Sequence, residues 1–200
     1  SGNNAAYGGA VYSGSTSQNT LTDCTFSGNN AAYGGAAYSY GTSQNTFDGC
    51  TFSGNACVSD ATRRDIVVAD QSAATIVDST YEAFRIGPDA SATIAGGITT
   101  VGTLTLTASG GNAPTITFID GAALAVTTAA TIPAGATFTS ETRGYLRVPY
   151  DTDVSAAAFN NVKVQFTGAP RKWRLDAWDI KPWRNENYIA GNWADKEATA

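Results

Sequence analysis

The sequence predicts an all-β protein: a parallel β-helix (β-solenoid) finished by an irregular Trp-rich C-terminal cap. Three observations predict it. Residues 1–26 and 27–52 are two copies of one repeat, identical at 20 of 26 aligned positions. The composition sets 21 Gly and 27 Thr against only 14% charged residues, and Thr favours strands while Gly favours turns. Neither copy carries apolar residues at the i, i+3, i+4 spacing of a helix. A repeat this short cannot bury its own apolar face, so neighbouring copies must stack.

The first copy holds two brief strand-like pieces, Gly9-Ala10-Val11-Tyr12 and residues 21–26, separated by Ser, Gly and Asn clusters. That content suits one coil of a solenoid better than the four longer strands of a propeller blade. Equivalent residues of successive coils then lie about 4.8 Å apart, the strand spacing of a sheet, and each matching pair becomes a ladder. The expected ladders are Asn3, Asn29 and Asn55; Tyr7 and Tyr33; Tyr12 and Tyr38; Cys24 and Cys50; Phe26 and Phe52. Stacked Asn side chains can hydrogen-bond along a ladder, and Asn tolerates the left-handed backbone of a tight corner. Gly8-Gly9 and Gly34-Gly35 are placed where a coil must bend. All of these positions read first as structural glue.

The pairing of Gly-Gly-Ala with Phe-Ser-Gly-Asn resembles the GGA(I/L/V) and FxxN repeats of polymorphic outer-membrane proteins, found in bacterial surface autotransporters. The residues that carry the resemblance are Gly8-Gly9-Ala10-Val11, Gly34-Gly35-Ala36-Ala37, Phe26-Ser27-Gly28-Asn29 and Phe52-Ser53-Gly54-Asn55. Ala37 departs from the pattern, which usually has a larger aliphatic there. The resemblance covers about the first 58 residues. It implies a right-handed parallel β-helix at a bacterial surface, often as an adhesin passenger.

The chain divides into regular repeats over 1–58, less regular coils over 59–145 and a C-terminal capping or assembly region over 146–200. In the middle region short segments such as Ala74-Thr75-Ile76-Val77, Ala92-Thr93-Ile94-Ala95 and Thr115-Ile116-Thr117-Phe118 alternate small or polar with apolar residues. Gly-Gly, Asp-Gly and Pro-Ala-Gly turns separate them, and the stretch is similar to the GxLxLxG segments of autotransporter passengers. Residues 60–70, with Arg63-Arg64, concentrate charge and read as an excursion. The last region holds all four Trp residues. A solenoid end exposes an open core and needs a cover, so Trp173, Trp178, Trp183, Tyr188 and Trp193 form a cap, a carbohydrate-stacking surface or an assembly interface.

Charge and residue types narrow the function. A net charge of −5 argues against nucleic acid, whose binders need a clustered basic surface. No apolar run approaches the roughly 20 residues of a membrane-spanning helix. His is absent, which removes serine–histidine and cysteine–histidine catalysis and the commonest zinc ligand. Met is absent too, so Ser1 is not expected to be a translation start. No residues stand out as metal ligands or cofactor contacts, and no cofactor is expected. Cys24 and Cys50 should stack as small apolar groups, while Cys57 leaves a Cys50–Cys57 disulfide open.

Many β-helices are polysaccharide lyases or hydrolases, and those need paired carboxylates or calcium-binding acids on one exposed sheet. Here Asp23 and Asp48 fall at unequal repeat positions, and Asp60, Asp65, Asp70, Asp78, Glu82 and Asp89 are scattered, which reads as solvated surface charge. Thr103-Leu104-Thr105 and Thr115-Ile116-Thr117 resemble the threonine arrays of ice-binding solenoids, yet their irregular spacing reads as ordinary strand composition. The expected function is a non-catalytic extracellular protein of a bacterial cell surface, an adhesin or rigid stalk. Its partners would be carbohydrate, a host or cell-surface protein, or further copies of an assembly. A carbohydrate-active β-helix and a filament subunit are the alternatives.

Overall fold

The computed structural model describes residues 1–119 and 121–168, together with the backbone of the short strand Ala194–Asp195. The described chain is wound into a parallel β-helix: every strand-to-strand ladder in it is parallel. The first coils are wide. Each passes through a corner strand (Asn4–Tyr7, then Asn30–Tyr33), a strand of the long sheet (Val11–Ser13, Ala37–Ser39), a strand of a second sheet (Gln18–Thr22, Gln44–Asp48) and a short return strand (Thr25–Ser27, Thr51–Ser53).

The exact repeat sets the register. Tyr7 pairs with Tyr33, Tyr12 with Tyr38, Thr20 with Thr46 and Phe26 with Phe52. Strand alternation then sends Leu21, Phe47, Ile76, Ile94 and Phe118 inward, one above another. All but Leu21 are almost fully buried. Phe26 stacks on Phe52 at 4.6 Å, Phe52 on Tyr81 at 4.6 Å and, farther along, Phe138 on Phe159 at 4.9 Å. Each such ring removes enough apolar surface from water to stabilise the fold by about 1.5–3 kcal/mol.

The Gly-Gly corner uses its two glycines differently. Gly34 sits at φ +62°, a left-handed conformation that a Cβ disfavours. Gly35 has an ordinary φ but no room: a Cβ there would run into the carbonyl oxygens of Arg64 and Ala56. Three turns of backbone meet at this corner because Gly9 in turn rests on Gly35.

After Val68 the cross-section narrows. The strand Thr80–Ile86 pairs at Thr80 with Thr51 and at Phe84–Ile86 with Ile66–Val68. One seven-residue strand thus replaces the return strand, the corner strand Ala56–Cys57 and the long-sheet strand of the previous coil. Ile98–Leu106 and Ala123–Thr131 follow this plan, while Thr137–Pro149 and Ala158–Thr167 take in the second-sheet strand as well. Ala194–Asp195 adds to Val164–Gln165. Trp173, Trp178, Trp183, Tyr188 and Trp193 lie outside the described residues, and so does the expected cap.

Candidate binding face

The wide coils place an aromatic face on the outside of the helix. Tyr7 and Tyr33 come from the corner sheet, Tyr12 and Tyr38 from the adjoining long-sheet strands, and Tyr40 from the bend beyond. Their rings form one cluster. Tyr7 stacks on Tyr33 at 5.2 Å and Tyr12 on Tyr38 at 6.1 Å, while Tyr38 lies 5.6 Å from Tyr7, 6.3 Å from Tyr33 and 6.4 Å from Tyr40. The cluster is open to solvent: Tyr7 is 48%, Tyr12 56%, Tyr33 37% and Tyr40 46% exposed. These ladders therefore stack on the outside of the helix, not in its core. Along the stacks the rings cover one another's faces, which leaves ring edges and hydroxyls to meet a partner.

Arg63 closes one side, its guanidinium 5.4 Å from the centre of the Tyr33 ring, a cation–π distance. Arg63 stands on the excursion of the third coil, a 3-10 turn over Ala61–Arg63. Asp60 caps that turn, accepting from the Thr62 amide and hydroxyl at 2.8 Å each, and meets Arg85 at 3.1 Å and Arg63 at 3.5 Å. Partial burial pushes the Asp60 carboxyl up, but the Thr62 hydrogen bonds and the two guanidiniums outweigh it and hold it below its ordinary value. Burial, reinforced by the Asp70 carboxylate, raises the Tyr38 phenol. Two members of this face, Tyr40 and Arg63, had no ladder partner to reveal them. The available signal for Tyr40 was its place at one of the six positions where the repeats differ, opposite Gly14.

Beneath the face runs the asparagine ladder. The Asn3 side-chain amide donates to Asn29 Oδ1 at 3.1 Å, and that of Asn29 donates to Asn55 Oδ1 at 3.0 Å. The ladder ends on Asp65: Asn55 Nδ2 donates to Asp65 Oδ1 at 2.8 Å, while Asp65 Oδ2 accepts from the backbone of Glu82 at 2.6 Å and Ala83 at 3.0 Å. Asp65 is fully buried, which corrects its reading as surface charge. Burial raises its pKa despite the three donors aimed at it. A second polar ladder went unread in the sequence: Asn19 Nδ2 donates to Asn45 Oδ1 at 2.8 Å, and Asn45 donates to Ser39 Oγ at 2.7 Å.

Asp78, Asp89 and Glu82 are also engaged structurally. Asp78 accepts from the Gly97 amide at 2.6 Å, Asp89 accepts from Asn112 at 2.7 Å, and Glu82 meets Arg64 at 3.9 Å. Asp23 occupies the left-handed corner equivalent to Gly49, while Asp48 pairs with Thr22. Among the described residues no three His, Cys, Asp or Glu side chains gather as a metal site. The Cys50–Cys57 disulfide does not form, and all three thiols are free. Cys50 points into the core, whereas Cys57 lies in the corner sheet opposite Ala31 and bonds to the Ala32 carbonyl.

A family model described as right-handed beta helix region matches residues 1–113, covering both the wide coils and the first narrow ones. Nothing among the curated proteins or the solved structures matches the chain.

Proposed function

The chain belongs to the right-handed β-helix family, and from that premise we propose that it is a non-catalytic surface protein of a bacterium, an adhesin or rigid stalk. The observation that carries this reading is the solvent-open tyrosine cluster flanked by Arg63. Tyr and Arg are enriched where proteins recognise other molecules: Tyr offers a large, stiff contact with a polar tip, and Arg a planar, preorganised fork of donors. Continuous ladders beneath the cluster hold it rigid, so little ordering entropy remains to be lost on binding. The GGA and FxxN-like motifs support an extracellular site, by resemblance to bacterial surface repeats. The partner is a cell-surface protein or glycan, contacted by ring edges and hydroxyls.

The catalytic alternative is less well supported, because Asp60 already caps a turn and binds guanidiniums, and Asp65 ends the asparagine ladder in the interior. The test is binding of the labelled chain to arrays of glycans and cell-surface proteins. The Tyr7→Ser, Tyr12→Ser, Tyr33→Ser, Tyr38→Ser variant should lose its hits by about tenfold or more, as hot-spot residues do. Unchanged binding by that variant, or release of sugars from acidic polysaccharides by the wild type, would overturn the proposal.

A further inference from the structure

The second sheet carries an outward feature that the tyrosine face does not use. Thr20 pairs with Thr46, Thr46 with Thr75, Thr75 with Thr93, Thr93 with Thr117 and Thr117 with Thr139. Six successive coils thus present threonine at one position, and the column ends at Asn160. This corrects the reading of Thr115-Ile116-Thr117: spacing along the chain is irregular, but spacing in space is one strand per coil, about 4.8 Å. The loops absorb the difference in coil length. Thr103-Leu104-Thr105 lies in the long sheet opposite Ala83 and Arg85 and joins no such column.

Strand propensity does not account for the column. It would act equally on the outward positions two residues to either side, yet those change from coil to coil. On one side they run Gln18, Gln44, Ala73, Ser91, Thr115 and Thr137; on the other, Thr22, Asp48, Val77 and Ala95. The inward neighbours change as well. The column stays uncharged, and its flank becomes hydroxylated at Ser91, Thr115 and Thr137, so the later coils bear two hydroxyl columns. Among the described residues no hydroxyl of the six threonines bonds to another protein group. Each is free to order water, with a methyl beside it at a fixed position. Side-chain ladders of this kind hold a many-stranded sheet flat.

A neutral column of hydroxyls and methyls, repeating near the shortest repeat of the ice crystal, fits a neutral lattice of ordered water. We propose that this threonine face binds ice. The inference is independent of the tyrosine face, which lies on other strands, so the failure of either leaves the other standing.

The test grows ice slowly in a solution of the 200-residue chain and measures how much protein enters the solid. The wild type should be enriched in the ice. Thr93→Lys with Thr117→Lys should reduce that enrichment by about tenfold, the effect of one lost significant contact. Thr51→Lys with Thr100→Lys, on a different outward column, should leave it unchanged. Circular dichroism and the melting midpoint establish that each variant is folded. If the lysine pair unfolds, Thr75→Ser, Thr93→Ser and Thr117→Ser keep the hydroxyls, remove the methyls and should still reduce enrichment. Exclusion of the wild type from ice overturns the proposal. So does equal behaviour of the folded Thr93/Thr117 variant and wild type, or capture by crystalline cellulose without enrichment in ice.

Discussion

Gly35→Ala is expected to destabilise the protein by about 3–4 kcal/mol, the high end for overpacking a filled site. The added methyl would meet the carbonyl oxygens of Arg64 and Ala56, which belong to hydrogen-bonded backbone and cannot swing aside as a flexible side chain would. Gly54→Ala separates the two things a glycine supplies. Unlike Gly35, Gly54 has a positive φ, +60°, and its missing Cβ faces open space, so only the conformational cost remains, about 1–2 kcal/mol. Urea unfolding of both variants at a common slope reads the difference directly. A loss at Gly35 no larger than that at Gly54 would contradict the close meeting of three coils at the Gly-Gly corner.

Asp65→Asn is expected to cost about 2–3 kcal/mol, the penalty for leaving buried polar groups without partners. The substitution changes one atom per side chain, yet Asn55 and the amides of Glu82 and Ala83 all donate toward this carboxylate. An asparagine keeps one oxygen and turns its own N–H groups toward the remaining donors. The loss should appear as a lower denaturation midpoint, accompanied by faster hydrogen exchange in Thr80–Ile86. That strand is where the coil narrows, so its opening should come first. Unchanged exchange in this strand would contradict the assignment of Asp65 as the joint between wide and narrow coils.

The fold was readable wherever the chain repeats itself in identical lengths. Phe26 on Phe52 and Tyr12 on Tyr38 follow from a 26-residue period. The third coil breaks that period: Thr51 pairs with Thr80, 29 residues on, whereas Val67 pairs with Arg85, only 18 on. The excursion lengthens one coil, and the fusion of three strands into one shortens the next. Neither is a local property of sequence, since both depend on what the preceding coil offers to pair with. Asp65 was misread for the same reason: an acid in a charged stretch looks solvated until the backbone of another coil closes over it. The aromatic face was only half visible. Its four ladder tyrosines stood in the repeat, but ladder logic is silent on whether a ring faces inward or outward.

The register of the second sheet runs unbroken through coils of unequal length, from Thr20 to Thr139. A spin-label distance tests it most directly. With Cys24→Ser, Cys50→Ala and Cys57→Ser as background, labels are placed by Thr20→Cys and Thr139→Cys, the two ends of the threonine column. Five coil steps separate them, so a single narrow distance near 24 Å is expected from the strand spacing of about 4.8 Å. A broad distribution, or a mean displaced by two or more coil spacings, would contradict the continuous β-helix.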